Sequence, residues 1–274
     1  MEKRPIAYQI YSARQEAEQN LGAVFAALAQ MGYDGVEFAG FYGHSSDDIN
    51  ALLSEHGLKA ISSHVPFSLI EADMFGVISY HKAIGCEYIA VPYLDDETRP
   101  GAPGFAMTLR KMAQFGRLCR EAGITLLYHN HDFEFVTVSG QYGLDFIYDA
   151  IPPCTLQTEI DVCWVKFAGE DPAAYIRKYA GRCPVVHLKD FVGTKGEDSP
   201  YGLLGKSESK DSQGSVAFEF RPFGHGCQDP ASIVSAAIES GAKWFVVEQD
   251  LSVGRTPLEA AELSIETLKK LGVK

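Results

Sequence analysis

The 274-residue chain has no CxxC pair, no apolar run long enough to cross a membrane, and no glycine-rich turn after its first apolar segment. Its six cysteines (Cys86, Cys119, Cys154, Cys163, Cys183 and Cys227) are scattered, which suits reduced, mostly buried thiols rather than a disulfide framework. The opening stretch, MEKRPIAYQIYSAR, lacks the apolar core of a signal peptide, so a cytoplasmic location without membrane association is expected. Basic residues are also scarce. Twenty-four Lys and Arg face 36 Asp and Glu, a formal charge of −12. Nucleic-acid binders normally present a basic face, so nucleic acid is not an expected partner. A small anionic substrate stays open, because a few local basic side chains can override a global charge.

What is present is ample core material, 46% hydrophobic against 22% charged residues, arranged in a repeating pattern. Short apolar runs rich in Val, Ile and Tyr occur at 6–12, 33–40, 58–67, 86–94, 124–130, 155–161, 184–190 and 243–250. Continuous rather than alternating apolarity suits parallel strands buried on both faces. Between them lie segments with helical spacing, at 20–32, 45–57, 71–85, 104–123, 171–181, 229–241 and 256–271, with a shorter one near 142–151. Eight strand–helix units without a composition break predict a single α/β domain over 1–274, a (β/α)8 TIM barrel. A doubly wound open sheet is the alternative, and the missing glycine-rich turn counts against it. One connection is disproportionately long. Residues 191–228 follow the seventh run and are rich in Gly, Ser and charge, so they form either a partial lid on the catalytic face or an excursion carrying a short hairpin.

A barrel of this kind gathers its chemistry at the carboxyl ends of its strands. Strand two ends near Glu37 and strand three at His64; strand five ends at His129, His131 and Glu134. Strand six ends at Asp161, strand seven at His187 with Lys189 and Asp190, and strand eight at Glu248. Taken singly these have ordinary explanations: Asp190 and Asp250 read as helix caps, and a lone His is more often structural than a ligand. Together they do not. Strands five to eight offer Glu134, Asp161, His187 and Glu248, and one divalent cation would neutralise three carboxylates that otherwise repel one another. Three oxygen ligands and one imidazole suit Mn2+ first, with Mg2+, Co2+ and Zn2+ also compatible.

The ordered set HNHDFEF, EIDVCWVKFAGEDP, HLKD and VVEQD resembles the xylose isomerase-like TIM barrels, specifically the sugar phosphate isomerase/epimerase group with its D-tagatose 3-epimerase and inosose dehydratase members. That resemblance covers essentially the whole chain. It implies one bound divalent metal held by Glu134, Asp161, His187 and Glu248, with His131 close enough to compete for the place of Glu134. It implies a carbohydrate substrate touched by His129 or His131, and a dimer or tetramer. Many epimerases of the group carry His three residues after the metal-binding Asp, where this chain has Trp164. Trp164 is expected either to stack on a pyranose face or to pack under the adjacent helix. The distantly related endonuclease IV needs further histidines, including one at the Trp164 position and a D-x-H pair that FRPFGHGCQD lacks.

The chemistry expected of such a site is isomerisation or epimerisation of a sugar, sugar phosphate or keto-sugar by proton removal next to a carbonyl through an enediolate. Glu134 and Glu248 facing opposite sides of one carbon give an epimerase, and one face alone an aldose–ketose isomerase. Lys189 and His64 are candidates for binding substrate oxygens, although Lys189 could instead pair with Asp190 or Glu159; Arg221 is a candidate phosphate or carboxylate reader. Two alternatives remain open at this point. One is a lyase expelling a β-hydroxyl from an inosose-like keto-sugar, and the other a non-catalytic sugar-binding barrel.

Overall fold

The eight apolar runs become eight parallel strands, and their side-chain alternation builds the floor of a site. The computed structural model describes residues 2–194 and 218–274. The strands are β1 (Ile6–Gln9), β2 (Gly35–Phe38), β3 (Lys59–Ser63), β4 (Tyr88–Val91), β5 (Thr125–His129), β6 (Gln157–Asp161), β7 (Val185–Leu188) and β8 (Trp244–Val247). They hydrogen-bond in the order β3-β2-β1-β8-β7-β6-β5-β4. A parallel bridge between His64 and Ala90 joins the two ends, so the sheet closes into a (β/α)8 barrel.

Outward-facing residues such as Tyr8, Val36, Tyr128, Ile160 and Phe245 pack under the helices. Inward-facing Ala7, Ile61, Ala90, Leu127, Val185 and Val246 form a separate apolar layer across the interior. Two residues further along each strand the same inward face carries Gln9, His129, His187 and Glu248. Polar groups therefore sit directly on an apolar plug, at the strand ends where barrel enzymes keep their chemistry.

The helices are α1 (Arg14–Met31), α2 (Ser46–His56), α3 (Phe67–Ala72), α4 (Met74–Ala83), α5 (Phe105–Ala122), α6 (Gly143–Ala150), α7 (Val162–Phe167), α8 (Pro172–Lys178), α9 (Pro230–Glu239) and α10 (Pro257–Lys270). Their ends follow local chemistry. Ser45 with Asp48, and Thr256 with Glu259, form capping boxes at α2 and α10. Helix α1 is broken at Asn20, whose side chain accepts from Ala23 N at 3.0 Å and caps the second half, where the periodic pattern at 20–32 begins. Among the described helices none is long and apolar enough to cross a membrane. The long connection after β7 opens and closes as a hairpin, Asp190–Val192 antiparallel to Glu219–Arg221. The hairpin alternative thus describes its two ends, while the lid expectation falls largely on 195–217, outside the described residues.

Gly116 shows how tightly the outer ring is fitted. A Cβ there would lie 2.3 Å from the Thr155 carbonyl oxygen and 2.8 Å from Thr155 Cγ2. Helix propensity alone favours Ala over Gly by about 1 kcal/mol, but overpacking against backbone costs about 1–3 kcal/mol. Gly116→Ala is therefore expected to lower the urea midpoint of unfolding, and an unchanged or higher midpoint would contradict this packing.

Candidate active site

Four strand ends converge through their own local geometry. At the end of β5, Asn130 turns back on β6: its Oδ1 accepts from Asp161 N at 3.0 Å, which fixes the height of Asp161 relative to His129. Asp161 divides its two oxygens. Oδ1 accepts from Cys163 N at 2.8 Å and Trp164 N at 3.2 Å, capping α7, while Oδ2 faces His129 Nε2 at 3.3 Å. From β7, His187 presents Nδ1 to Glu248 Oε2 at 3.0 Å, and Glu248 follows directly on β8. His129, Asp161, His187 and Glu248 thereby offer four buried donor atoms within 4.8 Å of one another.

A second group meets the other edge of the same imidazole. His187 Nε2 lies 2.7 Å from Glu37 Oε2, and His64 Nε2 lies 2.8 Å from Glu159 Oε2 and 3.2 Å from Glu37 Oε2. The β2–β3 register shifts between Val36 and Glu37, an irregularity of the kind that re-aims a side chain beside a site. Among the described residues lining the cavity, Lys189 is the permanent cation. Its Nζ is 2.6 Å from Asp250, 3.1 Å from Glu248 and 3.7 Å from Asp161.

The electrostatics follow from this crowding. Burial opposes the charge of Lys189, but Asp250, Glu248 and Asp161 outweigh it and hold its pKa well above the ordinary value. Burial likewise opposes a charged His187, and Glu37 and Glu159 outweigh it. His129 goes the other way: burial dominates and lowers its pKa, leaving a neutral imidazole of the kind metals bind. Burial, reinforced by Glu248, pushes Asp250 up to about 7 against the pull of Lys189.

Above the strand ends opens a cavity of about 450 Å³. Its buried side is polar, with His64, His129, His131, Lys189, Glu248 and Asp250; its rim carries Tyr11, Pro66, Leu69, Pro92 and Tyr93. A more open cleft of about 520 Å³ lies over Asp145, Glu170 and Lys178, away from these strand ends.

The expected residues separate accordingly. Asp161, His187 and Glu248 are brought together; Glu134 is not, and this corrects its expected position. The 3-10 turn Phe133–Phe135 carries Glu134 back under β5, where Oε1 accepts from Tyr128 OH at 2.6 Å and Oε2 from His131 N at 2.8 Å. Both oxygens are thus engaged away from the cluster, and the β5 member is His129 rather than Glu134 or His131. Trp164 offers no stacking face: it is fully buried, against His131, Phe167, Phe218 and Phe220. Arg221 sits on the hairpin and pairs with Glu219 at 2.7 Å, outside the cavity lining. Lys189 pairs with neither Asp190 nor Glu159. Asp190 instead accepts from the backbone N–H of Phe191, Gly224, Gly226 and Gln228, tying down the returning loop. Asp250, expected as a cap, belongs to the site. Glu159 was the least visible member, although its spacing of two from Asp161 puts both on one strand face.

The family model described as xylose isomerase-like TIM barrel matches residues 25–271. The chain is 23% identical to an inosose dehydratase of Geobacillus kaustophilus (strain HTA426), over 90% of this chain and 86% of that protein. Its fold superimposes on a sugar phosphate isomerase/epimerase from Parabacteroides distasonis ATCC 8503 with a TM-score of 0.77, at 21% identity, over 98% of this chain and 94% of that one. It also superimposes on the IolI protein crystallised with a zinc atom, with a TM-score of 0.72 at 15% identity, over 97% of each chain.

The position of Glu134 has a pH consequence. Burial, only partly offset by Tyr128 and the His131 amide, raises its pKa from 4.5 to about 8. Between those values the folded state holds the extra proton, so Glu134 lowers stability as pH rises through this window and has no further effect above it. Glu134→Gln is expected to flatten that decline by an amount on the order of a few kcal/mol between pH 5 and pH 8. Urea unfolding at both pH values reads it, and identical slopes for both proteins would place the ionisation elsewhere.

Proposed function

Because the chain belongs to the xylose isomerase-like TIM barrel family, we propose that its strand-end cluster is a divalent-metal site at which a keto-sugar loses a proton beside its carbonyl and then a β-hydroxyl as water. Its relatives support an enzyme acting on sugars. The elimination is our choice among its reactions, and one observation carries it: the β5 member of the cluster is His129, with Glu134 turned away. The expected epimerase relay needed carboxylates from β5 and β8 on opposite sides of one carbon. Here the carboxylates at the cavity come from the β8 end, Glu248 and Asp250.

The donor set fits a metal. Asp161 Oδ2 is left over from helix capping, His129 is neutral, and His187 Nδ1 and Glu248 complete the group. Two imidazoles and two carboxylates suit Zn2+, Co2+ or Mn2+ better than Mg2+. A divalent ion there would act as a Lewis acid towards the carbonyl oxygen. Lys189 remains charged and adds a fixed positive centre for negative charge developing on substrate oxygen. Asp250, with its pKa near 7 and its side chain on the cavity, is suited to take the proton. His64 and His131 line the same cavity and are the candidates for protonating the departing hydroxyl.

Incubation of the metal-loaded protein with inosose and related keto-sugars in deuterated water tests this by mass spectrometry. Metal-dependent loss of water is expected. Exchange of deuterium into unchanged or isomerised sugar, without water loss, would instead favour an isomerase or epimerase; neither event across the series would leave a binding barrel. Asp250→Asn is expected to lower kcat by about 100-fold or more while metal content is unchanged. A variant with wild-type kcat would remove Asp250 from proton transfer.

A further inference from the structure

We propose that the barrel holds a second divalent-cation site, formed by Glu37, His64, Glu159 and the Nε2 edge of His187. These four side chains each offer a donor atom within 4.8 Å of the others, and all four are buried. The neighbouring donor distances are 2.7 Å for His187–Glu37, 2.8 Å and 3.2 Å for His64 with Glu159 and Glu37, and 3.6 Å for His187–Glu159. Four ligands about 2.1 Å from one tetrahedral ion lie about 3.4 Å from each other, so slight outward movement would admit an ion.

A second observation separates this cluster from an ordinary hydrogen-bonded one. Glu37 Oε1, Glu159 Oε1 and His187 Nε2 are buried without a hydrogen-bond partner. The close approach of Glu37 Oε2 to His187 Nε2 lacks the alignment of an N–H donor. Buried polar atoms are almost always satisfied, yet Glu159 Oε1 and His187 Nε2 are left open 3.6 Å apart, beside a Glu37 whose Oε2 accepts from Gln9 Nε2 at 2.7 Å, and a cation would answer both. Two imidazoles with two carboxylates select a transition ion such as Zn2+ or Co2+ rather than Ca2+. His64 opens on the cavity and gives the ion a way in.

His187 then stands between two ions, Nδ1 towards the site proposed above and Nε2 towards this one. Loading both requires the ring to give up its remaining proton to solvent. The second site rests on the proposed reaction only where it shares residues with it, His187 with the active-site group and His64 with the candidate proton donors, so a loaded second site leaves His131 to protonate the departing hydroxyl.

Equilibrium dialysis of metal-stripped protein against Zn2+, with circular dichroism to verify folding, tests it. Wild type is expected to bind two ions per chain. Glu37→Gln, Glu159→Gln and Asp161→Asn should each bind one, the first two losing this site and the third the other. A single wild-type ion that survives both Glu variants would overturn the second site and leave the first intact. Two ions retained in both Glu variants would also overturn it. A single ion lost in the Glu variants but kept in Asp161→Asn would uphold this site and overturn the active-site metal. No bound ion would overturn both. Should a Glu variant misfold, His64→Asn gives the same comparison from the edge of the cavity, and Co2+ titration of wild type should raise visible absorption in two steps, a single step counting against the second site.

Discussion

His187 has a carboxylate against each ring nitrogen, and the surrounding structure depends on how that charge is satisfied. Glu248 faces Nδ1 and Glu37 faces Nε2. Directly below lies the apolar layer of Ala7, Ile61, Ala90, Leu127, Val185 and Val246. Water cannot hydrate the charges from that side, so each must be paired, protonated or bound to a cation. Lys189 answers part of this demand by reaching Asp161, Glu248 and Asp250 at once. The ring nitrogens and the remaining oxygens set the rest of the requirement, which divalent cations at the two proposed sites would meet.

The same constraint explains which parts of the site are rigidly built. Asp161 is held by α7 through one oxygen and by Asn130 through its backbone, which leaves a single oxygen with a defined direction. Asp190, one residue beyond Lys189, gathers four backbone N–H groups and anchors the loop returning to the barrel. Trp164 and Phe220 lie against the Lys189 ammonium and shield it from water on the side away from the cavity. A charge so enclosed would act on a bound substrate oxygen at low effective dielectric, where it counts for more than at the surface.

Strand order and strand ends were legible in the sequence because buried parallel strands read as continuous apolar runs, and each run coincides with a strand within a few residues. Helix starts were legible for a similar reason, since Ser45 and Thr256 are local signals. Glu134 was misplaced because its position depends on a single 3-10 turn. Spacing alone does not reveal whether a residue five beyond His129 continues over the cavity or folds back to Tyr128. Trp164 was ambiguous until its neighbours from the distant hairpin, Phe218 and Phe220, were known. Glu37 and Glu159 were visible as residues but not as a pair, because strands β2 and β6 meet only across the barrel interior. His129, expected as a substrate contact, stands in the four-donor group where Glu134 was expected.

Strands β5 to β8 are proposed to hold a divalent ion through His129, Asp161, His187 and Glu248. Anomalous X-ray diffraction from crystals reconstituted with Mn2+ or Zn2+ tests it most directly. The expected result is a peak about 2.0–2.2 Å from His129 Nε2, Asp161 Oδ2, His187 Nδ1 and a Glu248 oxygen, with Glu134 still bound to Tyr128. A peak on Glu134, or none between these strands in metal-saturated crystals, would contradict it.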